Sequence, residues 1–457
     1  MVSSPESSRG NLAYTEAKRD FVSIDDLCNA EILNLFRLAD EYNEDLTAWT
    51  ATCAGSILAT LFFEPSTRTR LSFESAMLRL GGGVISATQG DVMSAAKGES
   101  LADTVRVVGG RYADLIVLRH SDEGAARVAA RYAEVPVINA GDGAHEHPTQ
   151  TLCDLYTLWK EKGRIEGLEV VLAGDLKHSR TIHSLAFALA RFGASIACVP
   201  FPGLEIPRSV LERMQRDWGA EVSRAEVGDL PGISAEKDAV YVTPHKPHQQ
   251  SLFTSITPQH VDSIDAIYMT RLQRERHESD AGTESQRYPS LAPSQFTQPR
   301  FRETRVMHPL PRVDEISYEF DGDPRAVYFR QAALGVPIRM ALLAFLLGRV
   351  DLGPVHAERS SSLRYCSSVG LRCANRRCVT NSDAVRYVPP EFAILREIPP
   401  LLRCVFCGWE VEPRLVGHQS SKRLHRGNAA DAARIRPDRR VYFADEAQAE
   451  AAGFGQD

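Results

Sequence analysis

The chain has 457 residues, 43% of them hydrophobic and 25% charged, with a formal net charge of -6 at pH 7. At roughly 100–200 residues per domain this allows two to four domains with sizeable cores. The acidic balance argues against a protein that coats nucleic acid, which is ordinarily basic. No apolar run in the sequence reaches the ~18 residues needed to span a bilayer.

The opening MVSSPESSRGNLAYTEAKRD has no apolar core for a signal peptide, so the expected compartment is the cytosol. Residues 1–16 read as a flexible arm. The stretch 25–42, DDLCNAEILNLFRLADEY, spaces its apolar residues as an amphipathic helix does. Short apolar runs then alternate with helical stretches. SILATLFF (56–63), DLIVLRH (114–120), VPVINAG (135–141), LEVVLAG (168–174), SIACVPF (195–201), DAVYVTP (238–244) and AIYMT (266–270) are the strand candidates. Strands alternating with helices predict parallel sheets covered on both faces. Two such domains are expected in the first 350 residues, 17–150 and 151–330, with the boundary near the helix starting at Pro148. The polar, breaker-rich 276–300 is too long for an ordinary connector and reads as a functional loop or insertion. QAALGVPIRMALLAFLLGRV (331–350) is an apolar helix expected to pack back on the first domain, with Pro337 marking its first turn.

The run FFEPSTRTRLSFE (62–74) places Ser66, Thr67, Arg68 and Thr69 where a strand ends and a helix opens. Helix-start amides lack intrahelical partners and sit at the positive end of the dipole. Hydroxyls and a guanidinium added there make an anion site suited to phosphate. The bland alternative is a Ser cap followed by solvated arginines. HPTQ (147–150) also follows a strand and opens a helix, and Arg119-His120 ends a third strand. Three strand ends carrying polar groups point to one convergent cleft, where a lone His would read as structural. A nicotinamide-binding reading of VVLAGD fails, because the run Ala173-Gly174-Asp175-Leu176-Lys177-His178 lacks G-x-G-x-x-G.

FFEPSTRTRLSFE, KGESLADT, LRH, HPTQ and MHPLPR, in this order, resemble the catalytic chain of the aspartate carbamoyltransferase family over roughly residues 18–350. The resemblance implies that Ser66, Thr67, Arg68 and Thr69 hold the phosphate of carbamoyl phosphate. It places Arg119, His147 and Gln150 at the carbamoyl group. Lys97, in KGES, would enter the neighbouring subunit's site, so catalysis would require at least a homotrimer. The family's Ser a few residues before that Lys has one counterpart here, Ser94. The STRTR and HPTQ elements are shared with ornithine-type relatives, so they fix the donor and not the acceptor. L-aspartate is implied by Arg180 in GDLKHSRTIHS, by Arg271 and Gln273 in RLQRER, and by the carbonyls of Leu310 and Pro311 in MHPLPR, with a cis bond before Pro311. Residues two apart in extended chain point the same way, and Arg grips a carboxylate with a bidentate fork. The alternatives are a transcarbamylase with another amino-acid acceptor and an inactive scaffolding relative, although none of the implied ligands is clearly lost.

Five of the nine cysteines crowd into 366–407. Cys373 and Cys378 form one close pair and Cys404 and Cys407 another, which reads as a closed, structural Cys₄ zinc site with no catalytic metal. Its setting resembles the zinc domain of the family's regulatory chain, joined through a linker at 351–370 and spanning 371–415. That module is expected to serve subunit contact and to offer a route to higher-order assembly. Only 22 residues separate the apolar helix from Cys373, too few for a nucleotide-binding domain. Residues 416–457 read as a charged tail. The expected fold is therefore α/β, two doubly wound parallel-sheet domains of the transcarbamylase type plus a small β-rich zinc ribbon, with no nucleic-acid or membrane partner.

Overall fold

A computed structural model describes residues 18–88, 99–143, 145–234, 237–243, 264–271, 291–297, 301–313, 315–353, 363–366, 369–381 and 387–455. The first sheet is four parallel strands, β1 (Ile57–Phe62), β2 (Gly83–Thr88), β3 (Leu115–His120) and β4 (Val137–Asp142), in the order β2-β1-β3-β4. Strands β1, β3 and β4 are buried almost throughout, as their continuous apolar runs require when helices cover both faces. The second sheet is also parallel. It comprises β5 (Glu169–Gly174), β6 (Ser195–Pro200), β7 (Val222–Arg224), β8 (Lys237–Thr243), β9 (Ile264–Met269) and β10 (Arg305–Met307), in the order β10-β9-β8-β5-β6-β7.

The helix Pro148–Lys162 leads from one sheet to the other. Helix Tyr328–Leu346 returns and packs on helices Asn29–Glu44, Thr67–Arg79 and Pro148–Lys162. It is long and apolar enough to cross a membrane by length and composition, yet 67% of its apolar window is buried inside the protein, so it is a core helix. Pro337 lies in its interior, not in the first turn as its position suggested. An interior proline costs about 3 kcal/mol. Burial of the helix among three others offsets that cost, and Arg339 Nη1 donates to the Gly335 carbonyl at 2.8 Å beside the interruption. The helix expected from 25 begins at Asn29. A 3₁₀ turn, Ile24–Asp26, precedes it, because Asp26 turns back to accept the amides of Val22 and Ser23.

The C-terminal part is antiparallel. Strands β11 (Arg364–Cys366), β12 (Glu391–Arg396), β13 (Leu401–Cys404) and β14 (Glu410–Val411) form one sheet. The expected charged tail is instead folded. Strands β15 (Leu415–His418), β16 (Leu424–Arg426) and β17 (Arg440–Phe443) form a sheet in the order β16-β15-β17. Leu415, Leu424, Val441, Phe443, Ala449 and Phe454 form its core. The charges hid this pattern because they occupy the turns, while the few apolar residues alternate inward.

Candidate active site

The carboxyl ends of β1, β3 and β4 meet at one cleft edge, where parallel sheets place ligands. After β1, helix Thr67–Arg79 starts with Ser66 at its cap position, yet the Ser66 side chain makes no capping bond. Its Oγ lies 3.1 Å from Thr69 Oγ1, so the side chains do not occupy the first-turn amides. Arg119, at the end of β3, is buried. It donates to the Ala140 carbonyl at 3.0 Å and pairs with Glu64 at 2.7 Å. Gly141 separates Arg119 from His147: a Cβ there would come within 2.6 Å of Arg119 Nη1 and 3.4 Å of His147 Cδ2. With φ at +113° this position suits glycine on backbone grounds as well. His147 is buried, 3.3 Å from Thr149 Oγ1 through Nδ1. Gln150 donates to Asp154 at 2.8 Å.

The second sheet supplies Arg271, directly after β9. Its charge is close enough to act on Arg68. Desolvation, then the Arg271 charge, holds the Arg68 guanidinium below its ordinary pKa. Two guanidinium groups that repel each other define a place for anionic groups between them. His308 lies near the same charges. Burial first, with Arg312 and Arg68 adding to it, pushes its imidazole pKa down despite Glu315. His308 Nε2 is 2.8 Å from Glu315, and its Nδ1 accepts the Leu310 amide at 2.8 Å. This clamp fixes the loop carrying Leu310 and Pro311. Leu310 has φ 51°, and the Leu310–Pro311 bond is cis, as the family resemblance implied.

The structure thus brings Ser66, Thr67, Arg68, Thr69, Arg119, His147 and Gln150 to the carboxyl ends of β1, β3 and β4, and Arg271, Leu310 and Pro311 to those of β9 and β10. Ser94, Lys97 and Gln273 lie outside the described residues, as does most of 276–300. Arg180 opens helix Arg180–Arg191, but its side chain is outside the description. Sequence reasoning missed the supports of the site. Glu64 holds Arg119. Asp154 accepts Gln150, Gln331 and Tyr268, and Gln331 in turn accepts the His308 amide at 3.0 Å. Burial raises the Asp154 carboxyl to about 7 against those donors. These partners are up to 177 residues apart in sequence, and no local pattern marks them.

Profiles for the aspartate/ornithine carbamoyltransferase carbamoyl-P binding domain and Asp/Orn binding domain match residues 19–160 and 166–346. A third, for the aspartate carbamoyltransferase regulatory chain metal binding domain, matches 367–415. The aspartate carbamoyltransferase catalytic subunit of Methanopyrus kandleri is 47% identical over 333 residues, 73% of this chain and 98% of that protein. This chain belongs to the aspartate/ornithine carbamoyltransferase family. It is a carbamoyltransferase by that membership and carries a regulatory-chain type of metal-binding domain. Among solved structures, the catalytic subunit of M. jannaschii aspartate transcarbamoylase aligns with TM-score 0.58 and 40% identity, over 72% of this chain and 98% of that one. The Trypanosoma cruzi aspartate transcarbamoylase in complex with N-(phosphonacetyl)-L-aspartic acid aligns with TM-score 0.57 and 34% identity, over 72% and 95%.

Cys373, Cys378, Cys404 and Cys407 are all buried, with their sulfurs within 4.8 Å of one another. Cys373 and Cys407 Sγ are 3.5 Å apart, and Cys378 and Cys404 Sγ are 3.8 Å apart. A bond of about 2.3 Å to each of four tetrahedral thiolates sets sulfurs roughly 3.8 Å apart, so the cluster fits a metal and is too open for disulfides, whose S–S bond is about 2.05 Å. Four protein ligands leave no position for substrate.

Proposed function

We propose that the chain is an aspartate carbamoyltransferase, in which the cleft between the two sheets joins carbamoyl phosphate to L-aspartate. The observation that carries this reading is the group of polar side chains at the carboxyl ends of β1, β3 and β4, where Ser66 and Thr69 stand at an uncapped helix start and Arg119 and His147 are buried beside Gly141, with the charge of Arg271, after β9, acting on Arg68. One guanidinium suits the phosphate and the other a carboxylate. Thr69, Arg119 and His147 are assigned to the carbamoyl oxygen, and Ser66, Thr67 and Gln150 to the rest of the donor. Arg180, Arg271, Gln273 and the carbonyls of Leu310 and Pro311 are assigned to aspartate. In the transfer, the neutral amine forms a C–N bond to the carbamoyl carbon and the oxyanion gathers charge. The C–O bond to phosphate then breaks, and the departing phosphate takes the amine proton. The protein's contribution is positioning and electrostatic stabilisation. The products are N-carbamoyl-L-aspartate and phosphate, the chemistry of de novo pyrimidine synthesis.

A homotrimer that shares Lys97 and Ser94 between subunits belongs to the same proposal. Ile57, Leu71, Leu78, Ile85, Val107 and Tyr112 of the first half are exposed apolar side chains, and β2 is an edge strand with a largely open face. Such a surface favours a partner copy. Zinc is the metal assigned to the four cysteines, and a cytoplasmic location is assigned to the chain. The deciding assay is phosphate release from carbamoyl phosphate with aspartate or ornithine as acceptor. Turnover with ornithine alone would overturn the acceptor assignment. Metal analysis, native mass and cell fractionation test the other three points.

A further inference from the structure

The metal module does not hang from the transferase body by its linker alone. Its first cysteine knuckle lies along the loop after β3. The Glu123 amide donates to the Arg377 carbonyl at 3.0 Å, and the Val379 amide donates to the Glu123 carbonyl at 2.8 Å. Asn375 Nδ2 donates to the buried Glu123 Oε2 at 2.6 Å. The knuckle itself is braced by Asn381, whose amide reaches the carbonyls of Cys373 and Asn375. Gly124, at φ +89°, lies so close to Phe406 of the second knuckle that a Cβ would come within 2.7 Å of its backbone.

The next bond leads into the active site. The Gly124 amide donates to Asp142 Oδ2 at 2.8 Å. Asp142 is buried and ends β4. Oδ2 also meets His145 Nδ1 at 3.1 Å, while Oδ1 accepts Asn139 Nδ2 at 3.0 Å and the Glu146 amide at 3.2 Å. Backbone bonds close the same turn, from the Asp142 amide to the Glu146 carbonyl and from the His145 amide to the Asp142 carbonyl. His147 is the next residue. On the other side of Asp142 stand Gly141, packed between Arg119 and His147, and Ala140, whose carbonyl holds Arg119. One carboxylate therefore fixes the turn that aims both groups assigned to the carbamoyl oxygen.

We propose that Asp142 is a positioning residue that ties Arg119 and His147 to the first cysteine knuckle, through Gly124, Glu123 and Asn375, so that the metal module holds the transfer site of its own chain. The inference rests on the transferase reading of that site. Four donors face the two Asp142 oxygens, and an asparagine can accept at only one oxygen.

The test uses the full-length, metal-loaded chain with Asp142→Asn, Asn375→Ala and the double variant. Asp142→Asn is expected to lower kcat about 10–100-fold, as removing an orienting partner does, with aspartate KM unchanged. Asn375→Ala is expected to lower kcat roughly threefold to tenfold, the worth of one hydrogen bond, with full metal content. The double variant should be no slower than Asp142→Asn, because both act through one relay. Losses that multiply, or a full kcat in Asn375→Ala, overturn the proposal. If Asp142→Asn does not fold, the imidazole nitrogen resonances of His147 in Asn375→Ala replace it. They should move relative to the wild type, and unmoved signals overturn the relay. The resonance measurement needs no turnover, so it separates failure of the relay from failure of the transferase reading.

Discussion

The transferase body and the C-terminal region solve the problem of burial differently. In the body, helices cover parallel strands, and one large cluster of buried side chains runs from Phe21 to Leu352 across both sheets. In the C-terminal region the strands are short and antiparallel. The module's buried side chains, Tyr365, Leu371, Val379, Phe392, Leu402 and Phe406 among them, belong to a cluster that continues into Ala59, Leu101, Ile116, Leu118 and Val128 of the first sheet and its helices. A module of this size has too little core to stand alone without a metal, a disulfide or a neighbour. This one has the cysteine cluster and the body beneath it. The module is thus part of the body's packing, with Arg131 lying over Phe406 and Tyr387 accepting the Ala102 amide at 3.0 Å.

The comparison can be broken most sharply at its catalytic end. Arg68→Ala should lower phosphate release by about 10²–10³ or more, the loss of one major charge-stabilising donor. Thermal unfolding should hardly change, because Arg68 is exposed. Near-normal turnover in that variant would remove the phosphate assignment. Cys404→Ser tests the module's dependence on metal. Structural zinc contributes on the order of 10 kcal/mol to small metal domains, so metal loss should unfold β11–β14 and expose the shared cluster. Hydrogen exchange reads that directly. Protection that stays in β13 after metal loss would mean that packing on the body alone supports the module.

A third test uses pH at the seam between the two regions. Burial alone would lower the His145 pKa, but the Asp142 and Glu146 charges raise it to about 9 from an ordinary 6.5. The pair's contribution is therefore complete below about pH 6.5 and is lost as pH rises through about 9. The shift corresponds to roughly 3 kcal/mol. Denaturant titrations between pH 6 and 10 should show stability falling across that window in the wild type and not in His145→Gln. The smallest effect on turnover is expected from Phe454→Ala. Its ring packs against Phe443 at 4.9 Å between centroids. Its loss should destabilise the β15–β17 sheet by about 3–5 kcal/mol and leave kcat unchanged. A fall in kcat would show that this last sheet also reaches the active site.

Much of the body was legible along the chain because its signals are local. Continuous apolar runs marked β1, β3, β4, β5, β6, β8 and β9, and STRTR and HPTQ fell at helix starts, where orphan amides bind anions. Strands β2, β7 and β10 were not marked: β2 is half-exposed and carries no continuous apolar run, and β7 and β10 have three residues each and no full period to read. The tail was misread for a related reason. Its charges outnumber its large apolar side chains, and only pairing across β15 reveals that the latter share a face.

The residue types proposed for the donor site, for the acceptor and for the four-cysteine metal site were determined by the sequence itself. Their chemistry is intrinsic, and their spacing places them at strand ends and in close pairs. The tertiary structure alone decided what holds them. Glu64 on Arg119, the Asp154–Gln331–His308 support and the path from Cys378 through Glu123 to Asp142 join residues far apart in the chain. Buried polar groups must find partners, since an unmet one costs about 1–3 kcal/mol. Folding alone determines which distant donor arrives. That holds equally for the sulfur cluster, read as a structural zinc site in a module for subunit contact and joined by hydrogen bonds to the turn that ends at His147.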